Sequence, residues 1–176
     1  NYLVKDVRDL PRIIREAHYI ATTGRPGPVL IDIPNDIQRR EMTITEYDQL
    51  MEEPFHLEGY EPNYKGHPKQ IKKAVQAIKA AKRPLIIAGA GVLKGRACKE
   101  LRVFAENQQI PVANTLLGLG TFPTTSPISL GMLGMHGTVY ANFATDKADL
   151  VIACGIRFDD RIAGVPNEFC KHAKII

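Results

Sequence analysis

The sequence predicts an α/β fold built on a parallel β-sheet, because two hydrophobic patterns alternate along its second half. Short apolar runs, typical of strands buried on both faces, are separated by longer segments with the period of an amphipathic helix. Glycine and proline, which interrupt regular structure, bound these segments. Strands that alternate with helices form parallel sheets with right-handed crossovers, and such sheets bind ligands at the carboxyl ends of their strands.

The composition is that of a globular protein able to bury a core. Of the 176 residues, 44% are hydrophobic and 24% are charged, and the net charge is +4. No run of Lys and Arg is longer than two residues, so no nucleic-acid partner is predicted. No apolar stretch reaches the roughly 18 residues of a membrane-spanning helix, so no membrane partner is predicted.

Three cysteines, Cys98, Cys154 and Cys170, lack the spacing of a metal site. An odd number of cysteines within apolar segments indicates reduced, buried thiols. They favour a cytoplasmic location or, in a plant or alga, the plastid stroma.

The first 34 residues predict one helix and one strand. Apolar residues recur at steps of three and four, with Asp9 as the N-cap and Gly24 as the stop. These apolar residues are Leu10, Ile13, Ile14, Ala17, Ile20 and Ala21. Residues 29–33 then form an apolar run that predicts a strand buried on both faces, and Pro34 ends it.

Residues 35–67 show neither period. Charged residues there alternate with Pro54, Gly59, Pro62 and Gly66. A stretch of this length without helix or strand is long for a loop inside a compact domain. An interdomain linker is therefore predicted, with residues 1–34 forming the end of a preceding domain.

The alternating pattern restarts at residue 68. In chain order it predicts a helix from Pro68 with Ile71, Ala74, Val75, Ile78 and Ala81 inward, a strand at 85–88, a helix at about 96–108, a strand at 111–115, a helix at 138–147, a strand at 150–154, and the start of another at Ala173. A chain that begins with Asn1 and stops within a parallel strand is expected to continue on both sides.

Loops suited to a cofactor follow three of these strands. Residues 89–95 have the spacing GxGxxxG rather than GxGxxG, so a dinucleotide loop and an ordinary strand-to-helix turn both remain open. Residues 115–120 offer a hydroxyl group, backbone amides and close backbone approach. Residues 155–161 hold two cations and two carboxylates, which pair either with each other or with a bound phosphate.

A fourth segment, residues 131–137, reads Gly-Met-Leu-Gly-Met-His-Gly. Its glycines allow tight backbone paths, and Met135 and His136 offer contact area for a ring. His136 has no second ligand at metal-site spacing, so no metal site is predicted. Hydrolase motifs such as GxSxG and HExxH are absent from the sequence, which therefore predicts binding loops without catalytic machinery.

Three motifs carry a family resemblance that extends over essentially the whole chain. They are GRPGPV at 24–29 with DIP at 32–34, MLGMHGTVYAN at 132–142, and RFDDR at 157–161. The chain resembles an internal fragment of the large catalytic subunit in the acetolactate synthase (acetohydroxyacid synthase) family of thiamine-diphosphate enzymes. The resemblance implies that residues 1–34 end the pyrimidine domain, 35–67 are the linker, and 68–176 are a Rossmann-like (DHS-like) central FAD-binding domain, incomplete at its carboxyl end.

The resemblance also implies an activity and its cofactors. Two pyruvates, or pyruvate and 2-oxobutyrate, are condensed with decarboxylation in valine and isoleucine biosynthesis. Thiamine diphosphate, Mg²⁺ and FAD are implied, with the flavin not undergoing redox chemistry. The family's catalytic glutamate and its magnesium–diphosphate motif match no position here, so neither catalytic nor metal residues are expected in the chain. Family members form dimers or tetramers and commonly bind a small regulatory subunit.

Carried over position by position, the flavin contacts fall on the four loops and one arginine. They are Arg25, Ala90, Thr115, Leu116, Leu133, Gly134, Met135, His136, Gly155, Ile156, Arg157, Phe158 and Asp159. Asp160 and Arg161 match positions that line the channel to the active site. Ala90 stands where many family members have glycine.

Other functions remain open at this point. A related flavin enzyme, such as pyruvate oxidase or glyoxylate carboligase, would share the architecture, and the oxidase would use its flavin for redox chemistry. A catabolic synthase without flavin is a third enzyme class. A stand-alone nucleotide-binding module is the alternative without catalysis.

Overall fold

The computed structural model describes residues 1–165 and 167–176. The chain divides into two units, Asn1–Lys65 and Gly66–Ile176. Among the described residues, no helix combines the length and the apolar character needed to cross a bilayer.

A short parallel sheet and one long helix form the first unit. Strand β1 (Tyr2–Leu3) pairs in parallel with β2 (Ile31–Asp32), and α1 (Leu10–Thr22) lies between them in sequence. The predicted helix is therefore confirmed, with Pro11 in its first turn, where the missing N–H costs nothing. Three buried side chains form the core of this unit: Val4, Ile13 and Ile37.

The predicted strand at residues 29–33 is shorter and more exposed than expected. Only Ile31–Asp32 pair with a neighbour, and Leu30 is 67% exposed. An apolar run permits a doubly buried strand, but burial depends on what packs against it. In α1, Ile14 was predicted to face inward and is exposed.

Residues 35–67 contain two helices, so the prediction of no regular structure there is wrong. They are α2 (Asn35–Gln38) and α3 (Ile44–Glu52). A capping box starts α3, with Thr43 and Glu46 each satisfying the other's backbone N–H. At its end the Arg15 guanidinium donates to the carbonyls of Leu50, Met51 and Glu53. Local capping thus forms a helix that hydrophobic periodicity does not reveal.

A five-stranded parallel sheet organises the second unit. Its elements are α4 (Pro68–Ala80), β3 (Pro84–Ala88), α5 (Ala90–Lys94), α6 (Cys98–Gln108), β4 (Val112–Asn114), β5 (Ser129–Met132), α7 (Val139–Lys147), β6 (Leu150–Cys154), α8 (Asp160–Ala163) and β7 (Lys174–Ile175). The strand order is β5-β4-β3-β6-β7, and every pair is parallel. The predicted α/β, Rossmann-like fold is confirmed.

Each face of this sheet is covered by a separate core, because side chains alternate along the central strand. Ile86 and Ala88 of β3 pack with Leu101 and Ala105 of α6. Leu85 and Ile87 point the other way, toward a cluster that includes Ala141 of α7 and Leu133. The result is a layered α/β/α arrangement that leaves the ends of the strands free for loops.

Two details of the second unit differ from the sequence prediction. Ile71 and Val75 of α4 are exposed, while Ala77 and Ile78 reach the core. Strand β5 is not predicted by the sequence, because its residues include Gly131, and glycine within a strand weakens the strand signal. Its pairing with β4, rather than local propensity, forms the strand.

A buried thiol in the second core makes stability depend on pH. Burial first, and then the Asp146 carboxylate, raise the pKa of Cys170 to about 11, and the residue is 5% exposed. In the unfolded chain the thiol ionises near pH 8.5. Above that pH the unfolded state binds fewer protons, so the free energy of unfolding should fall as the pH rises toward about 11.

This expectation is checked by urea unfolding at pH 8 and at pH 10. Burial also raises the pKa of Cys154, so part of the slope belongs to that thiol. Replacing Cys170 with Ala should make the decline between the two pH values shallower. An unchanged slope in the Cys170→Ala variant would contradict the assignment.

Candidate functional site

Four loops meet at one edge of the sheet. They follow β3, β4, β5 and β6, and begin at Gly89, Thr115, Leu133 and Gly155. Because the strands are parallel, their carboxyl ends share this edge, where sheets of this kind bind ligands.

The loops after β3 and β6 contact each other backbone to backbone. Gly89 N–H donates to Cys154 O and Gly91 N–H donates to Gly155 O, each at 2.9 Å. Gly155 has φ +61°, and a Cβ there would lie 2.6 Å from the Gly91 Cα. The GxGxxxG segment forms a strand-to-helix turn, with α5 beginning at Ala90, and this geometry is common to both interpretations of the spacing. The glycines serve this packing, and Ala90 contributes the first N–H of α5, which has no intrahelical acceptor.

The loop after β4 is held against β3 in the same way. Thr115 N–H donates to Ala88 O at 2.9 Å. A Cβ on Gly118 would collide with the carbonyl oxygen of Ala88, so the two backbones touch. This path leaves Thr115 buried and turns Leu116 outward, where it is 67% exposed.

A buried asparagine fixes this loop from within. Asn114 is 2% exposed, and its Nδ2 donates to Gly118 O at 2.9 Å and to Thr121 Oγ1 at 2.6 Å. Its backbone carbonyl accepts from Leu133 N–H at 3.0 Å. Asn114 therefore connects the loops that follow β4 and β5.

In the loop after β5, a buried residue is followed by an exposed pair. Leu133 lies in the core, whereas Met135 is 72% exposed and His136 is also exposed. Between them, Gly134 has φ +99°, a conformation that favours glycine. The turn thus presents a thioether and an imidazole to solvent.

The charged residues after β6 pair only loosely. Arg157 lies 3.6 Å from Asp159, and Arg161 lies 3.6 Å from Asp160, with both arginine side chains exposed. Charge-assisted hydrogen bonds are shorter, about 2.7–2.9 Å. Exposed pairs of this kind stabilise little, so both guanidinium groups keep donors available for a phosphate.

Apolar and acceptor groups lie within the same segment. Ile156 is partly buried against the second core, and Phe158 is half exposed, edge-to-face with Phe169 at 6.0 Å. Asp159 Oδ1 is buried and has no hydrogen-bond partner within the described residues. A buried acceptor without a donor favours a ligand that carries hydroxyl or N–H groups.

These side chains together fit a flavin nucleotide. Arg157 suits the phosphates, Asp159 suits a donor group, and the exposed Leu116, Met135 and Phe158 suit an apolar ring. Arg25, the remaining predicted contact, belongs to the first unit, where it is exposed in the turn between α1 and β2. No group of three or more His, Cys, Asp or Glu side chains in the described ranges is placed to hold a metal ion.

Sequence reasoning missed the side chains that shape the loops. The sequence assigns no role to Asn114, Thr121 or Asn142, although the structure places hydrogen bonds on all three. An asparagine at the end of an apolar strand, as in the run PVAN, is a signal that could have identified Asn114.

Residues 71–176 match the family model of the thiamine pyrophosphate enzyme central domain. The whole chain is 48% identical to acetolactate synthase 2, chloroplastic, of Nicotiana tabacum, and covers 26% of that protein. It is 46% identical to acetolactate synthase of Arthrospira platensis and 43% identical to the acetolactate synthase large subunit of Buchnera aphidicola, and covers 30% of each. The chain thus spans less than a third of the relatives that it matches. Since the family model covers more than half of the chain, this chain belongs to the thiamine pyrophosphate enzymes.

Proposed function

We propose that this chain is part of the large catalytic subunit of an acetolactate synthase. The observation that carries the proposal is the 43–48% identity, over the full chain, to relatives of that name from a plant, a cyanobacterium and a bacterium. The reaction is the condensation of two pyruvates, or of pyruvate and 2-oxobutyrate, with loss of carbon dioxide. Thiamine diphosphate supplies the carbanion chemistry of this class.

The contribution of this chain is the binding of FAD at the carboxyl edge of the sheet. Backbone and side chains of Ala90, Thr115, Leu116, Leu133, Gly134, Met135, His136, Gly155, Ile156, Arg157, Phe158 and Asp159 form the binding surface, and Asp160 and Arg161 line the substrate channel. The loose ion pairs, the unpartnered Asp159 Oδ1 and the exposed apolar side chains support this assignment. Thiamine diphosphate and Mg²⁺ are held mainly by residues outside this chain.

The remaining proposals concern organisation and location. Residues 1–34, 35–67 and 68–176 are the end of the pyrimidine domain, a linker and the FAD-binding domain. The partners are 2-oxo acids, further copies in a dimer or tetramer, and a small regulatory subunit. The enzyme acts in the bacterial cytoplasm or in a plastid stroma, and the tobacco relative is named chloroplastic.

Product analysis of the complete polypeptide tests the activity. The protein is incubated with pyruvate, thiamine diphosphate, Mg²⁺ and FAD while oxygen is monitored. Acetolactate without oxygen uptake is expected. Acetyl phosphate or acetate, formed with oxygen consumption or flavin reduction, would assign the protein to the oxidase branch instead.

Replacing Arg25 with Ala is expected to weaken FAD binding by about 1.5–3 kcal/mol, because a charge-assisted contact to a phosphate is lost. The dissociation constant is measured by flavin titration of the complete enzyme. Arg39→Ala, which removes another exposed arginine of the first unit, is the control and should bind FAD normally. Equal affinity in Arg25→Ala and the wild type would remove Arg25 from the site.

A further inference from the structure

Asn142, on the exposed side of α7, makes a two-point contact with a single glycine. Its Oδ1 accepts from Gly134 N–H at 2.9 Å, and its Nδ2 donates to Gly134 O at 3.0 Å. The carboxamide therefore pairs with Gly134 as a second peptide group would. Asn142 itself is exposed, so this contact lies at the surface and not in the core.

Gly134 is confined on its other side as well. A Cβ at this position would lie 2.8 Å from the carbonyl oxygen of Arg161, and φ is +99°. The loop after β5 thus passes between α7 and the backbone of α8. Asn142 is the side chain that holds it there.

The two residues that follow Gly134 depend on this anchor. Within the described residues, neither Met135 nor His136 makes a hydrogen bond, and Met135 is 72% exposed. The next backbone hydrogen bond along the loop is donated by Gly137 N–H to Gly134 O at 2.9 Å, so its acceptor is again Gly134. The position of the Met135–His136 pair is therefore set through Gly134.

We propose that Asn142 is a positioning residue for the flavin: it holds Gly134 so that Met135 and His136 are presented in their binding conformation before the ligand arrives. This inference rests on the proposed FAD site. Without the carboxamide, water replaces the acceptor of Gly134 N–H, Gly134 O keeps only its bond from Gly137 N–H, and the loop becomes mobile. A ligand must then order the loop on binding, which lowers its affinity.

The test uses the complete enzyme and a matched control. Asn142→Ala removes both hydrogen bonds. Asn107→Ala replaces another exposed helical asparagine, on α6, whose side chain has no hydrogen-bond partner within the described part of the chain. Both variants replace a helical Asn with Ala, so both gain the same helix propensity and differ only in the hydrogen bonds that are lost. FAD dissociation constants are measured by flavin fluorescence, and unfolding by urea is measured without FAD.

Asn142→Ala should raise the FAD dissociation constant about tenfold, because the ligand must then order the loop on binding. Its unfolding without FAD should match that of Asn107→Ala, and excess FAD should restore its activity. Asn142→Asp keeps the acceptor for Gly134 N–H but sets a carboxylate oxygen against Gly134 O, so it should also raise the dissociation constant; it decides the question if the Ala variant fails to fold.

Three results would overturn the inference. If the wild type binds FAD, equal FAD affinity in Asn142→Ala and Asn107→Ala would show that Asn142 has no positioning role. A loss of affinity matched by an equal loss of stability without FAD would make Asn142 structural only. A wild type that binds no FAD would overturn the proposed flavin site together with this inference.

Discussion

Replacing Gly155 with Ala is expected to destabilise the protein by about 3–5 kcal/mol. The new Cβ would meet the Gly91 Cα and the Val92 nitrogen at 2.6 Å, and backbone atoms have little freedom to move away. The residue would also keep a φ of +61°, which an L side chain tolerates poorly. The free energy of unfolding is measured by urea titration monitored by circular dichroism.

Gly164→Ala is the matched control for this change. Gly164 has a similar φ of +57°, but a Cβ there would meet none of the described residues within 4 Å. The Gly164→Ala variant therefore keeps the conformational cost of a positive φ but lacks the steric clash of a new Cβ. Similar destabilisation of both variants would contradict the close packing of the loops after β3 and β6.

Replacing Asn114 with Ala is expected to destabilise the protein by about 2–4 kcal/mol. The substitution leaves the buried Gly118 carbonyl and Thr121 hydroxyl without their donor and opens a small cavity. Flavin affinity should fall as well, because Asn114 joins the loops after β4 and β5. Urea unfolding and flavin titration measure the two effects.

Asn107→Ala again supplies the control, since an exposed helical substitution should change stability by no more than about 0.5 kcal/mol. Asn114→Asp adds a test of the donor itself, because it keeps the size of the side chain but cannot donate to Gly118 O. A stable Asn114→Asp variant with normal flavin affinity would show that the buried hydrogen bonds do not shape the loop.

The fold was predictable because its strongest signals are local. The apolar runs at β3 and β6 and the period of α6 depend on burial within the same unit, so pattern and structure agree. Strand β5 and helix α3 depend on a pairing partner and on a capping box, and neither produces hydrophobic periodicity. Their absence from the sequence prediction follows from that difference.

The candidate site was predictable only as a set of loops. The sequence indicates which residues follow the strands, but not which of their polar groups are already engaged. Gly91 illustrates the limit, since its N–H is used by Gly155 and is not free for a ligand. The roles of Asn114 and Asn142 depend on contacts between loops that are distant in sequence, which spacing alone does not reveal.

FAD is proposed to bind at the carboxyl edge of the sheet in the second unit. Hydrogen–deuterium exchange of the complete protein, with and without FAD, tests it most directly. Slower amide exchange is expected at residues 89–95, 115–120, 133–137 and 155–161 when FAD is present, and unchanged exchange in α4, which contributes none of the proposed flavin contacts. Protection confined to other segments, with these four loops unaffected, would contradict it.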